Sequence, residues 1–150
     1  MSRPLVRMIE KGEGVDLASI RGEIKDVADM LAEYLNNYYW PEQTSYAKHS
    51  IMGPVGKLIG VMESGRFESK EALIGFIINI HNNTSRVKIS KEAIDILERA
   101  VDKLLEIRSK TTTRVWVRLL RELDYAVYKY KMKRIVELAA QKAKSKSGGE

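Results

Sequence analysis

The chain has 150 residues, 44% of them hydrophobic and 31% charged, with two histidines and no cysteine. That length suits one domain with a core of its own. The lack of cysteine excludes disulfides, thiolate metal sites, iron–sulfur clusters and a cysteine nucleophile, and no run approaches the roughly 18 apolar residues of a membrane span. Met1 to Glu13 lacks the apolar stretch of a secretory signal, so a soluble, cytoplasmic protein is the expectation.

The net charge of +6 is unevenly placed. Residues 1–110 carry 16 basic and 16 acidic side chains, whereas residues 111–150 carry 10 and 4, so the whole excess lies in the last 40 positions. Such polarity points to an anionic partner, and nucleic acid is the commonest one.

Along the chain the 3.6-residue period dominates and strict alternation is missing, which predicts helices throughout. Residues 1–15 read as an N-terminal arm. Asp16 is placed to cap a first helix running to about Tyr39, with Leu17, Ile20, Ile24, Val27, Leu31, Tyr34, Leu35 and Tyr38 on one face. Trp40-Pro41 ends it, because the residue before proline is pushed out of the α region. A second helix covers roughly Gln43 to Met62 and must break or kink at Gly53-Pro54, with Gly65 as its stop. Ser69 opens a short third helix to Ile80, apolar nearly all round and therefore expected to be buried, before His81-Asn82-Asn83, which is turn chemistry. Val87-Lys88-Ile89 is read as coil.

Ser90 caps a fourth helix to about Arg108, with Ala93, Ile94, Leu97, Val101, Leu104 and Leu105 inward. Thr111-Thr112-Thr113 caps a last, basic helix to about Ala140. Residues 141–150, rich in Lys, Ser and Gly, are expected to be a disordered basic tail. The expected architecture is a single-domain, all-α bundle of about five helices over residues 16–140.

On a wheel of about 100° per residue with Arg114 at zero, Val115, Trp116, Leu119, Leu120, Leu123, Ala126, Val127 and Tyr130 spread over about 100–240° and form a core face. Arg114, Arg118, Arg121, Tyr125 and Lys129 fall within about 60° of zero, on the opposite side, with Tyr128 flanking them. Arginine forks bind phosphate oxygens and tyrosine stacks on an unpaired base, so this row suits a nucleic-acid backbone. A solvated polar face is the plain alternative. Lys142, Lys144 and Lys146 read as a solubilising end.

Catalytic signatures are missing. His49 and His81 are the two histidines, with no HExxH, no His-Asp doublet and no paired Glu-x-x-His. Gly53-Pro54-Val55-Gly56-Lys57 lacks the spacing of a phosphate loop and has Leu58 where the hydroxyl belongs. No enzyme, metal site or cofactor is expected.

Three separated segments carry a resemblance: Ser19-Ile20-Arg21, Ser64-Gly65-Arg66 followed by Leu73-Ile74, and Leu105-Glu106-Ile107 followed by Arg121 and Ala126-Val127-Tyr128-Lys129. In order and rough spacing, over about residues 16–134, they resemble the Csm-type small helical subunit of type III-A CRISPR effector complexes. Asp16-Leu17 replaces the two threonines usual before the first helix, and Met62 stands where that family commonly has an aromatic. The resemblance implies a non-catalytic subunit that stacks in several copies beside the guide RNA. It would contact the guide–target backbone without reading sequence and pack on the complex's backbone and large subunits, with no membrane partner. It implies RNA contact through Arg21, Arg66, Arg121 and Lys129. Helical geometry adds Lys25, Arg114, Arg118 and Tyr125. Trp40, Tyr38 and Tyr39 form an aromatic cluster read as core. A free-standing DNA-binding nucleoid protein and a structural adaptor without nucleic acid remain as alternatives.

Overall fold

A computed structural model describes residues 16–43 and 48–148, with the side chains of 16–43 and 51–145; the expected arm over residues 1–15 lies outside the described residues. Five α-helices follow one another: α1 (Leu17–Tyr34), α2 (Lys48–Ser64), α3 (Lys70–Thr84), α4 (Lys91–Ser109) and α5 (Thr113–Gly148). The described residues contain no strand. The fold is the expected all-α bundle.

Four of the five helices, α1, α3, α4 and α5, start where a short polar side chain can satisfy exposed amide groups. Asp16 accepts from the Ala18 amide, Ser69 from Ala72, Ser90 from Ala93 and Thr112 from Val115. Gly65 stops α2 in the left-handed region (φ 71°), its amide bonding back to the Val61 carbonyl. The kink in α2 falls at Gly53 (φ 51°, ψ −136°), where a Cβ would lie 2.6 Å from the Tyr39 ring. Only glycine fits there.

The core forms where α1 packs against α4 and α5, while α2 lies on α5 and on α3. Ile20, Ile24, Val27, Leu31, Tyr34 and Leu35 of the first segment meet Leu97, Val101 and Leu104 of α4 and Trp116, Leu119, Leu120, Leu123 and Val127 of α5. Arg21 reaches Glu122, and Lys131 reaches the Leu35 carbonyl, so α1 and α5 run parallel. Tyr39 is buried and Tyr38 and Trp40 pack half-buried against the same core, as the aromatic cluster was read.

Several expectations need correction. Leu17 and Phe76 are exposed, so α1 buries one turn less and α3 is not buried all round. The inward stripe of α4 is rotated: Ile96, Ala100 and Ile107 are buried, whereas Ile94 and Leu105 are half-buried. The helix α3 continues through Asn82 and Asn83 to Thr84. Here tertiary bonds override turn propensity. The Val87 carbonyl can only accept, so Nε2 of His81 carries the proton (2.7 Å) and Nδ1 accepts from the Tyr34 hydroxyl (2.6 Å). Burial holds His81 below its ordinary pKa, opposed by the Val87 bond. Burial, with Tyr39 adding to it, pushes the Tyr34 hydroxyl up. Finally, α5 continues past Ala140 to Gly148 rather than giving way to a tail. Gln141, Lys142, Ala143 and Lys144 are all good helix formers.

The end of α1 widens into a π turn, Leu35–Tyr39, in which the Trp40 amide bonds to the Leu35 carbonyl five residues back (3.2 Å). Lys131 reaches this turn from α5. This fully buried side chain donates to the carbonyls of both Leu35 (3.3 Å) and Trp40 (3.2 Å), so a cation from α5 caps the C-terminal end of α1. Burial, then the nearby Arg134 charge, lowers its pKa to about 8.

Candidate nucleic-acid interface

The core face of α5 fixes what its other face can do. With Trp116, Leu119, Leu120, Leu123 and Val127 buried, residues on the far side of the wheel must point outward. Arg114, Arg118, Arg121, Tyr125 and Lys129 are all exposed. Fifteen residues at 1.5 Å each make this row about 22 Å long, with neighbours one helical turn apart.

The row contains one internal pairing. The Lys129 ammonium sits 4.8 Å from the centroid of the Tyr125 ring, which is 61% exposed. A cation over a tyrosine face is held by the ring quadrupole. One face of the ring is therefore occupied by Lys129, and an incoming base would find the other.

Arg21 joins the row from α1. Its Nε and Nη2 donate to the two carboxylate oxygens of Glu122 at 3.3 and 3.2 Å, a two-pronged pair across the α1–α5 seam. Glu122, one of the two carboxylates that flank the row, is thus neutralised, and Asp124 flanks it on the other side. Lys25, one turn further along α1, is exposed and lies about level with the Tyr125 turn, because the two helices run parallel.

Arg66 is placed differently. It is exposed in the connection after α2, its amide donating to Ser64 Oγ, and it is not on the α5 row. The Trp116 indole donates to the Met62 carbonyl (3.3 Å), which puts the end of α2 beside the start of α5, at the Arg114 end. The Arg108 guanidinium also comes close to Gly65 there. Arg108 is a cation that sequence reasoning passed over, since it marked only the end of α4.

Lys131 was missed too. Its wheel angle of about 260°, at the edge of the core sector, was the available signal. Nearby, between α1 and α5, an open groove of about 520 Å³ is lined by Asp29, Glu33, Asn36, Lys133, Arg134 and Glu137 among others. Acids and bases share its walls, so it favours neither sign of ligand. Among the described residues no cluster of three histidines or carboxylates could hold a metal ion, and no helix is long and apolar enough to cross a membrane. The side chain of His49 lies outside the described residues.

No family model, curated protein or solved structure matches this chain.

Proposed function

We propose that this protein is a non-catalytic, phosphate-contacting subunit that lays the outward row of α5 along an RNA backbone. The observation that carries the reading is the line of four cations and one aromatic on a rigid, core-anchored helix face, with Glu122, one of its two flanking carboxylates, held by Arg21. Arg114, Arg118 and Arg121 bind phosphate oxygens in this reading, Lys129 adds charge, and Tyr125 offers its open face to a base. Contacts of this kind position a backbone without reading sequence. Lys25 extends the row laterally. Arg21 contributes by masking Glu122, and Arg66 by adding charge at the Arg114 end. The sequence resemblance sharpens the proposal to the small subunit of a type III CRISPR interference complex, bound to guide and target RNA and packed on the other subunits.

The test is RNA retention. Replacing Arg114 and Arg121 together by glutamate removes two charges and introduces two of opposite sign, and it should abolish retention while leaving the melting curve in place. Wild-type binding should weaken steeply with salt. Unchanged retention in the folded double variant would overturn the reading. RNA co-purified from native cells then separates the readings: short species of uniform length with larger partner proteins support the effector subunit. Bulk DNA or random RNA supports a nucleoid protein, and clean protein supports an adaptor.

A further inference from the structure

The cation row of α5 stops at Lys129, and two helices mark the place independently. Over the next four turns the same sector of α5, within about 60° of Arg114, continues as Met132, Val136, Ala139 and Ala143. None of these carries a charge, and Val136 is 52% exposed. A cationic stripe thus gives way to an uncharged one along a single continuous helix.

The neighbouring wall of α1 changes at the same height. At successive four-residue steps it carries Arg21, Lys25, Asp29 and Glu33, all exposed, so its sign reverses between Lys25 and Asp29. Arg21 is level with Glu122 and the two helices run parallel, so Asp29, eight residues on, comes level with about Tyr130. Tyr130 is the first residue past Lys129.

Lys133 and Arg134 follow on α5, but their surroundings differ from those of the row. They line the groove of about 520 Å³ together with Asp29, Glu33 and Glu137, two cations against three carboxylates. A groove of that volume is roughly 8 Å across, no wider than the Debye length of about 8 Å at physiological salt. The carboxylates therefore act on whatever approaches the two cations. A phosphate chain laid along α5 is attracted as far as Lys129 and loses that attraction beyond it.

We propose that Asp29 and Glu33 terminate the phosphate track: they confine the bound backbone to the stretch from Arg114 to Lys129 and withhold Lys133 and Arg134 from it. The inference rests on the phosphate-contacting reading and specifies how far that contact extends. Within the track Lys25, Arg114, Arg118, Arg121 and Lys129 meet phosphates, while Arg21 is held by Glu122. Specificity here is for a short length of backbone, set by like charge at one end of the site rather than by a contact with any base.

A salt titration of binding to a single-stranded oligouridylate longer than the row counts the contacts. For a single strand the logarithm of affinity falls against that of salt by about 0.7 per neutralised phosphate, so five contacts give a slope of about −3.5. Asp29→Asn with Glu33→Gln should release Lys133 and Arg134, steepen the slope to about −5 and tighten binding at low salt by about tenfold or more. The same change of net charge made on α4, Glu92→Gln with Asp95→Asn, should leave the slope at its wild-type value. All four positions are exposed, and unchanged melting curves check that both variants fold. A wild-type slope already near −5 overturns the boundary and leaves the phosphate-contacting reading in place. So does a groove variant that keeps the wild-type slope, or an α4 variant that steepens it equally. A wild-type chain that does not bind the oligouridylate overturns the reading itself, and the boundary with it.

Discussion

The two sides of α5 carry the same kind of residue to opposite ends. Lys129 and Lys131 are two positions apart. Lys129 is exposed and rests on an aromatic ring, whereas Lys131 is fully buried, has lost part of its basicity and is held by two backbone carbonyls. A rotation of 200° on the helix turns a cation available to a ligand into a structural cap. The outward side of α5 is therefore expected to govern binding, and the inward side stability.

The sharpest way to break this division is on the inward side. Trp116 is buried with its indole bonded to the Met62 carbonyl, so Trp116→Ala should lower unfolding free energy by about 3–5 kcal/mol, as for other buried large aromatics. Chemical denaturation measures it, and a near-neutral result would mean that the two sides of the helix are misassigned. The outward double glutamate variant should leave the same denaturation curve unmoved.

Next comes the pH dependence of stability. Lys131 has a pKa of about 8 in the fold against 10.5 ordinarily, so between those values the unfolded chain holds the extra proton. Stability from this group should rise with pH across that window. His81 works at the other end. Its folded pKa is lowered, so as pH falls below its ordinary 6.5 the unfolded chain takes up a proton first and stability declines. Thermal melts across pH should show both limbs, and Lys131→Met should remove the alkaline one alone. An alkaline rise that survives this substitution would assign it elsewhere.

The smallest effect is expected at the seam between the two sides. Arg21 and Glu122 are both about half exposed, and such pairs contribute roughly 0–1 kcal/mol. Arg21→Gln should barely shift the melt, yet it should weaken RNA binding by unmasking Glu122. Unchanged or stronger binding in that variant would show that masking Glu122 is not how Arg21 acts.

What the sequence made legible was local. The caps at Asp16, Ser90 and Thr112, the stop at Gly65, the break at Gly53 and the inward face of α5 all follow from neighbours within a few positions. The outward row was legible for the same reason, since its residues share one helix. Apart from the last turns of α5, where helix-forming residues were read as a tail, the features missed depend on partners far along the chain. The π turn at Leu35 is held by a lysine 96 positions away, and the Tyr34–His81 bond spans 47. His81 looked like a turn residue because its flanking asparagines say nothing of the tyrosine that buries it. The engagement of Arg21 by Glu122, 101 positions on, was equally invisible to a helical wheel.

The parallel packing of α1 on α5 has a consequence for how the molecule is made. Adjacent helices in a simple up-and-down bundle meet as soon as a short loop is closed, but here the first helix finds its two principal neighbours, α4 and then α5, only after about 70 and about 100 further residues. At a synthesis rate of about 5–20 residues per second, the apolar face of α1 waits roughly 5–20 s for α5. High sequence separation between contacting elements also slows folding relative to other helical proteins. The nascent chain thus carries the face of Ile20, Ile24, Val27 and Leu31 incompletely covered until α5 has emerged, and this core closes at the helix that bears the cations.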